Sequence, residues 1–518
     1  MKGIKKVLPF LVIAAVLAVS YSFTLDPKLD PNGDNATYIT LARNIASGLG
    51  YSERTVDGLV PASHFPPGYS AILSIPILLG FDNLLLFKIL NGVFLLLAMC
   101  LLYAVFAQAA GQRYLAAATA ALACCSPQLL HFAGMAMSEM SYLFFMSLGI
   151  FCLWKYSLGV VKWWRSPWFW LALVSVMACY HIRSVGIALV IATVAFFLFR
   201  KEWVAGGASA LTMILLALPW SLRNSFYGIE SRYFGTVMTV NPWRPEEGTV
   251  SSVGEFVSKM LTNLDQTVLR GFPGVLFPYA VPESNDPSGP VMILLGVVVL
   301  AVVVYGAWRT GSMRPLMLTL LAGNIGLFAI WHGNNWTRYV TPLIPFIYFF
   351  FYRGLFCLLM DALGRKESKD LRLAWAVLLM AVPMYAPLAR MHKIAGMPYH
   401  PVYEHYFNMA KELDGKLPPG TVVCCRKPDL FGYFAPNLYA VNYRFDADAD
   451  KVVDQMRRQK VDYVVLDQLG YASTQLYLMP ALDAHPELFV VVWKLRNPDT
   501  WLYYFKRNLA PTIPSDSH

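Results

Sequence analysis

Residues 26–69 read DPKLDPNGDNATYITLARNIASGLGYSERTVDGLVPASHFPPGY, a polar stretch that separates one apolar run from a long series of others. Three aspartates alternate with prolines and a glycine over residues 26–34, and apolar residues then recur at spacings of three and four. This period predicts a short amphipathic helix that ends at Gly48 and Gly50. We therefore expect a loop with one amphipathic helix on a membrane surface, and Asp34 at the start of that helix.

The composition identifies the class of protein. The chain has 518 residues, of which 57% are hydrophobic and 14% charged, and its mean hydropathy is +0.47. Because a soluble protein carries about a quarter charged residues, these values indicate an integral membrane protein. The formal net charge of +10 fits the excess of Lys and Arg in cytoplasmic loops. The basic residues form no continuous stripe, so we expect no nucleic-acid partner.

The apolar runs are about 20 residues long, enough to cross the roughly 30 Å of hydrocarbon in a bilayer. They predict about eleven spans, within residues 1–25 and near 84–108, 114–133, 139–158, 168–182, 184–200, 204–222, 291–309, 315–331, 339–360 and 371–390. The first run follows a lysine cluster and could be a cleaved signal peptide, but it has no clear small-x-small cleavage site, and we expect a retained span. Every predicted inner loop is then basic, and the C-terminus lies outside.

The pattern changes after residue 398. Apolar runs shorten to strand length at 421–425, 438–442, 462–466, 488–495 and 501–505, and 451–459 has helical spacing. Alternating strands and helices predict a small α/β domain. We therefore predict a polytopic α-helical membrane protein with a transmembrane module over 1–398, whose outer loops are 26–80 and 225–290, and a C-terminal extracytoplasmic α/β domain over 399–518. No GxGxxG or P-loop motif occurs, so no nucleotide is assigned.

Several cations fall at the outer ends of the spans, where the positive-inside rule does not place them. They are Lys88, Arg183, Arg223 and Arg338, and His64, His181 and His332 lie on the same predicted side. Any one of them is explained by a side chain that reaches the headgroups. Together they predict a convergent anion site at the membrane surface, where arginine matches phosphate through its bidentate fork. A lipid-linked phosphate is an anion held at that depth.

Two carboxylates accompany these cations. Asp34 starts the amphipathic helix, and Glu139 lies at the outer end of the fourth run. Each could simply cap a helix, and for Asp34 this alternative is as strong as a catalytic role. A carboxylate beside clustered cations also suits transfer of a sugar from a lipid phosphate. The cations would stabilise the leaving phosphate, and the carboxylate would take the proton of the attacking hydroxyl or amine, with inversion at the sugar carbon.

Six motifs occur in order at the outer ends of the spans: GDNATYITLARNIASG (33–48), FPPGYSAIL (65–73), SEMSYLFF (138–145), IRSVG (182–186), PWSLRN (219–224) and RYVTPLIP (338–345). In this series the chain resembles the polyprenyl-phosphate-sugar glycosyltransferases of the GT-C superfamily, in the group with protein O-mannosyltransferases and lipid A aminoarabinose transferases. The resemblance implies a catalytic Asp at Asp34, a polyprenyl-phosphate donor bound by the outer cations, and a sugar oriented by Tyr69. It also implies a lipid, glycan or protein acceptor outside a bacterial inner membrane.

One position departs from the family pattern. Many relatives have Asp-Glu where this chain has Asp34-Asn35. Because an amide adds no charge, the pair is a poor ligand for a divalent ion, and we predict a metal-independent enzyme without cofactors. A site that uses Asp34 with Glu139 remains an alternative.

Two other classes of function are compatible with a polytopic protein. A transporter or flippase for an anionic or lipid-linked substrate would also place charges in its spans, but such proteins commonly have two related halves, and none are visible here. A scaffold that displays the C-terminal domain would leave the outer arginines unexplained.

Overall fold

The computed structural model describes residues 4–31, 33–109, 111–229, 232–241, 247–278, 281, 286–331, 336–364 and 371–508. Most of this chain is helical. Strands occur in a short hairpin near the N-terminus and in a sheet after residue 420.

The polar stretch after the first helix folds as a compact segment, which we call the outer segment after its predicted position. It follows α1 (Ile4–Thr24) and contains α2 (Asp34–Ala46), an antiparallel hairpin of β1 (Ser52–Thr55) and β2 (Gly58–Pro61), and α3 (Gly68–Leu78). The predicted amphipathic helix is α2, which buries Tyr38, Leu41 and Ala42 on one face. A Cβ on Gly68 would lie 2.7 Å from the carbonyl oxygen of His181, so glycine is required for α3 to pack against that part of the chain.

The chain between residues 84 and 395 consists mainly of helices, and most of the long ones are apolar. Its helices before residue 230 are α4 (Leu84–Ala109), α5 (Arg113–Ala123), α6 (Pro127–Ala133), α7 (Glu139–Leu158), α8 (Pro167–Ile182), α9 (Ile187–Phe199) and α10 (Trp203–Phe226). Three shorter helices follow, α11 (Arg232–Met238), α12 (Val253–Leu264) and α13 (Gly271–Leu276). The rest are α14 (Pro290–Trp308), α15 (Arg314–Ile330), α16 (Trp336–Val340), α17 (Ile344–Ala362), α18 (Leu371–Leu379) and α19 (Tyr385–Ala395).

Among the described residues, seven helices are long and apolar enough to cross a membrane, or eight if the bent pair α5 and α6 forms one span. The bend between α5 and α6 is 58° and falls where Pro127 begins a new helix behind Ser126, because proline has no N–H to continue the preceding helix. The runs near 168–182 and 184–200 form shorter apolar helices, and the run at 371–390 is broken between α18 and α19. The chain is a multi-pass membrane protein, but the predicted count of eleven spans is not confirmed.

Residues after 400 alternate between helices and strands. The elements are α20 (Pro401–Lys416), β3 (Val422–Cys424), α21 (Pro428–Phe434), β4 (Tyr439–Val441), α22 (Ala449–Arg458), β5 (Tyr463–Leu466), α23 (Met479–Ala484), β6 (Phe489–Leu495) and β7 (Thr500–Phe505). The sheet has the order β4-β3-β5-β7-β6. Its first three strands are parallel, while β7 is antiparallel to both β5 and β6. The five strands lie where the sequence predicts strands; that this part is a separate extracytoplasmic domain stays a prediction.

The C-terminal part lies directly on the outer segment. Helix α21 packs against α2, and the guanidinium of Arg43 lies 5.0 Å from the ring centroid of Tyr433. The hydroxyl of Tyr399 donates a hydrogen bond of 3.1 Å to the carbonyl of Leu29. Apolar side chains of α20 and α21 also belong to the same buried cluster as those of the membrane helices. The sheet is therefore held against the outer segment, at one end of the membrane helices.

Candidate active site

Four charged residues that are joined by hydrogen bonds lie in, or directly after, four different helices. Asp34 is the first residue of α2 and Glu139 the first residue of α7. Arg183 follows directly after α8, and Arg338 lies in the short helix α16. We call these four side chains the charged cluster. Residues from four separate motifs thus meet, because each motif lies where an apolar helix begins or ends.

Arg338 is the centre of the charged cluster. Its Nη1 donates a hydrogen bond of 2.5 Å to Asp34 Oδ2, and its Nε donates one of 2.6 Å to Glu139 Oε1. The same Glu139 oxygen accepts a bond of 2.6 Å from Arg183 Nη1, which also donates to Ser138 Oγ at 3.0 Å. One guanidinium therefore links both predicted catalytic carboxylates.

Burial makes these pairs stronger than ion pairs on a protein surface. The side chain of Glu139 is 0% exposed and that of Arg338 17%, whereas Asp34 retains 28%. Glu139 Oε2 is buried and has no hydrogen-bond partner among the described residues. Charges in such surroundings interact more strongly than in water. Asp34 is the more accessible of the two carboxylates, and so the one that an incoming group can reach.

The structure does not support a capping role for either carboxylate. Gly33, with φ of 99°, occupies the cap position of α2, and Ser138 occupies that of α7. Neither helix has a side-chain hydrogen bond at its cap. The carboxylates of Asp34 and Glu139 instead bind arginines, which removes the simplest structural explanation for their position.

Tyr38 and Ser138 also belong to this site, although neither was predicted from the sequence. The two hydroxyl oxygens are 3.2 Å apart, and both side chains are buried. Burial raises the pKa of Tyr38 to about 12, an effect that the nearby arginines oppose. Tyr38 therefore acts as a neutral hydrogen-bonding group. Its place on the same face of α2 as Asp34, four residues later, is the signal that could have identified it.

Lys88 does not join the charged cluster. Its ammonium donates hydrogen bonds to Asp26 Oδ1 at 2.8 Å, to the carbonyl of Asp26 at 2.9 Å and to that of Lys28 at 2.6 Å. Only 1% of Lys88 is exposed. The lysine thus fixes the beginning of the outer segment to α4, and Asp26 is its partner rather than a freely solvated residue.

The remaining predicted residues surround the cluster without entering it. Arg223 donates to the carbonyls of Ala62 and Tyr51, each at 2.8 Å. The ring of His181 is 3.1 Å from the carbonyl oxygen of Leu216.

Tyr69 and His64 lie nearer to α2. Tyr69 donates a 3.2 Å hydrogen bond to Asn91 and packs edge-on against Tyr38. His64 is exposed beside Phe65. His332 falls outside the described residues.

Both ends of the Asn35 amide bind the backbone around the start of α2. Its amide nitrogen donates to the carbonyl of Asp30 at 3.0 Å, and its amide oxygen accepts from the backbone of Ala36 at 2.9 Å. In the part of the chain that the structure describes, no three His, Cys, Asp or Glu side chains are grouped as metal ligands. Asn35 instead stabilises the turn that leads into α2.

The C-terminal sheet adds two charged groups that the sequence analysis did not predict. A Cβ on Gly33 would lie 3.6 Å from Lys427 Nζ, and the carboxyl of Asp429 lies within hydrogen-bonding reach of Thr37. Both follow the carboxyl end of β3. Ligands commonly bind at this edge of parallel strands, and the sequence CRKPD after a predicted strand carried that signal.

Comparisons with known proteins find the same architecture at low sequence identity. No protein-family model matches the chain, and no curated protein matches it in sequence. ArnT from Cupriavidus metallidurans, in a crystal structure bound to undecaprenyl phosphate, is 14% identical with a TM-score of 0.59, covering 95% of this chain and 97% of that one.

Two further structures are similar. The oligosaccharyltransferase of Archaeoglobus fulgidus, tethered with an acceptor peptide, is 14% identical with a TM-score of 0.58, covering 98% of this chain and 75% of that one. Arabinofuranosyltransferase AftD from Mycobacteria is also 14% identical, with a TM-score of 0.50 over 95% of this chain and 40% of that one. The chain therefore shares its fold with these three proteins.

Proposed function

We propose that the protein is a membrane glycosyltransferase that moves a sugar from a polyprenyl-phosphate donor to a lipid, glycan or protein acceptor outside a bacterial inner membrane. The observation that carries the proposal is the bridge that Arg338, in α16, makes between Asp34 and Glu139 at the first residues of α2 and α7. Its support is the fold shared with ArnT, which has been crystallised with undecaprenyl phosphate.

Asp34 is the general base in this proposal. It is the more accessible carboxylate of the charged cluster, and a base must be within hydrogen-bond reach of the nucleophile. The acceptor's hydroxyl or amine loses its proton to Asp34 as it forms a bond to the anomeric carbon. The bond from that carbon to the phosphate oxygen breaks on the opposite face, and its electron pair leaves with the phosphate. One displacement of this kind inverts the anomeric centre.

Arg183 and Arg338 stabilise the departing phosphate. Their guanidiniums are already oriented by Glu139, and a group that is preorganised in this way costs no rearrangement during the reaction. Glu139, fully buried, acts through the two arginines and is a positioning residue. The predicted roles of Lys88, Arg223, His64, His181 and Tyr69 in donor binding stay predictions.

Transfer from a labelled polyprenyl-phosphate sugar in proteoliposomes tests the proposal. We expect Asp34→Asn to abolish transfer, whereas Asp57→Asn, at a carboxylate that is 80% exposed in the outer hairpin, retains it. The product should have the anomeric configuration opposite to that of the donor. Movement of the intact lipid across the bilayer, without a new glycosidic bond, would instead identify a flippase.

A further inference from the structure

A cavity of about 450 Å³ opens where α7 and α9 end and α10 begins. Helix α7 starts at Glu139, in the charged cluster, and its 20 residues extend over about 30 Å. This length matches the hydrocarbon thickness of a bilayer. The cavity therefore lies at the opposite face of the membrane, on the predicted inner side, and is too far away to contact a group bound at the charged cluster.

Cations outnumber carboxylates in the lining of this cavity. The lining contains three cations, which are Lys162, Arg200 and Lys201, and Glu202 is its one carboxylate among the described residues. Glu202 already accepts a 2.8 Å hydrogen bond from Arg200 Nε and one of 2.7 Å from the hydroxyl of Tyr156. Within the part of the chain that the structure describes, neither lysine forms an ion pair with a carboxylate. Two positive charges are therefore available to an anion.

Tryptophan side chains place the cavity at the depth of lipid headgroups. Trp163 and Trp203 line it, and the ammonium of Lys162 lies 5.1 Å from the ring centroid of Trp164. Tryptophan is enriched at the boundary between hydrocarbon and water, and contact with its ring attracts an ammonium without neutralising it. The lysine is thus held at the depth at which lipid phosphates lie.

The backbone at Lys201 has a conformation that lysine rarely adopts. Its φ is 62°, in the left-handed region that glycine enters without strain. The N–H of Lys201 donates to the carbonyl of Leu198 at 2.9 Å, and the next N–H along the chain donates to the carbonyl of Phe197 at 3.0 Å. Glycine is the usual residue in such a helix ending. The side chain of Lys201 adds a charge to the cavity that glycine could not supply.

Apolar side chains border these cations. Val160, Val161, Trp203 and Val204 line the same cavity, and each is more than half exposed. An anion dissolved in water would make no use of apolar surface, whereas a phospholipid joins an anionic headgroup to apolar chains. The lining therefore fits an anionic phospholipid of the bilayer better than a soluble anion.

We propose that this cavity binds the phosphate headgroup of an anionic phospholipid through Lys162 and Lys201, in the leaflet opposite to the charged cluster. Basic pockets between membrane helices are suited to such headgroups. The bound lipid bridges the turn after α7 and the start of α10. The site goes beyond the proposed function, because it requires neither a sugar donor nor an acceptor.

The test is a titration of the full-length protein in detergent with dioleoyl phosphatidylglycerol, followed by native mass spectrometry. Dioleoyl phosphatidylcholine, which has no net charge, is the comparison lipid, and we expect one phosphatidylglycerol to bind more tightly than it. Lys201→Gly removes the ammonium, while glycine retains the helix ending without strain. Its affinity for phosphatidylglycerol should fall about fivefold, as for the loss of one partly exposed charge pair, and Lys162→Met should have a similar effect.

Two control variants carry the same chemical changes elsewhere. Lys460→Gly replaces a second lysine with a left-handed backbone, whose φ is 55°, in the C-terminal part. Arg113→Met removes an exposed cation from the start of α5, on the same predicted membrane face. Both variants should bind phosphatidylglycerol as tightly as the unmodified protein does.

Three results would overturn the inference. Unchanged affinity in both Lys162→Met and Lys201→Gly would show that the cavity does not bind the lipid. Equal losses in Arg113→Met and Lys162→Met would show that the charge of the whole membrane face attracts it. Displacement of phosphatidylglycerol by inorganic phosphate at constant ionic strength would identify a site for a soluble anion. The proposed function is unaffected by any of these results, because none of them measures sugar transfer.

Discussion

Replacing Arg338 by methionine removes both hydrogen bonds that join Asp34 to Glu139. The side chain lies between a fully buried carboxylate at 2.6 Å and a partly buried one at 2.5 Å. Breaking a buried ion pair by removing one partner costs about 3–5 kcal/mol, because the other charge stays buried without compensation. Glu139 retains Arg183, so we expect the lower end of that range, while the charge of the cluster changes from zero to minus one.

Two measurements follow from this change. The apparent melting temperature in detergent, followed by tryptophan fluorescence, should fall by about 3–10 °C, and binding of undecaprenyl phosphate should be lost. Arg309→Met is the control, since Arg309 pairs with an Asp361 that is 50% exposed and such a pair contributes about 1 kcal/mol or less. If Arg338→Met and Arg309→Met have the same melting temperature and the same donor affinity, Arg338 does not hold the charged cluster together.

Three further predictions concern the parts that support the site. Lys88→Met should increase hydrogen exchange and proteolysis over residues 26–31, because three hydrogen bonds to that segment are lost; unchanged protection would show that the lysine does not hold it. Gly68→Ala should destabilise the protein by about 1–3 kcal/mol, because the added Cβ would lie 2.7 Å from a backbone oxygen. Gly207→Ala is the control, since a Cβ there would have no atom within 4 Å. Equal melting temperatures of the two variants would contradict this prediction. Burial raises the pKa of Asp467 from 3.8 to about 6. The folded protein therefore binds this proton more tightly than the unfolded chain, which stabilises the folded state at low pH. This contribution, at most about 3 kcal/mol, is lost as the pH rises from about 4 to 6. The stability of the unmodified protein relative to Asp467→Asn should therefore fall between pH 4 and 7, and a constant difference would contradict the assignment.

Much of the site could be predicted from the sequence because its residues lie at the ends of apolar runs. Charges in such places are costly unless they are used, and the topology rule identified Arg183 and Arg338 as misplaced. Sequence alone could not separate them from Lys88 and Arg223. Lys88 binds Asp26 and Arg223 binds backbone carbonyls, and these partners lie 62 or more residues away along the chain. Linear spacing does not show such contacts.

The number of spans was less predictable than their positions. Hydropathy alone does not distinguish a helix that crosses the membrane from one that bends or stops within an apolar run, as at Pro127 and between α18 and α19. The five strands after residue 420 could be predicted because their apolar runs are short and bounded by turn residues. The carboxyl edge of these strands faces the outer segment because the C-terminal part packs against it. That packing depends on contacts between distant residues, such as Arg43 with Tyr433, which the sequence does not show.

The central claim is that a phosphate is held at the charged cluster, next to the carboxylate of Asp34. A cryo-electron microscopy structure of the protein with undecaprenyl phosphate tests this directly. We expect phosphate density within about 5 Å of the guanidinium carbons of Arg183 and Arg338, with the lipid chain entering between the membrane helices and Asp34 facing the phosphate. Phosphate density at another place, with no ligand density beside Arg338, Asp34 and Glu139, would show that the phosphate is not held at the charged cluster.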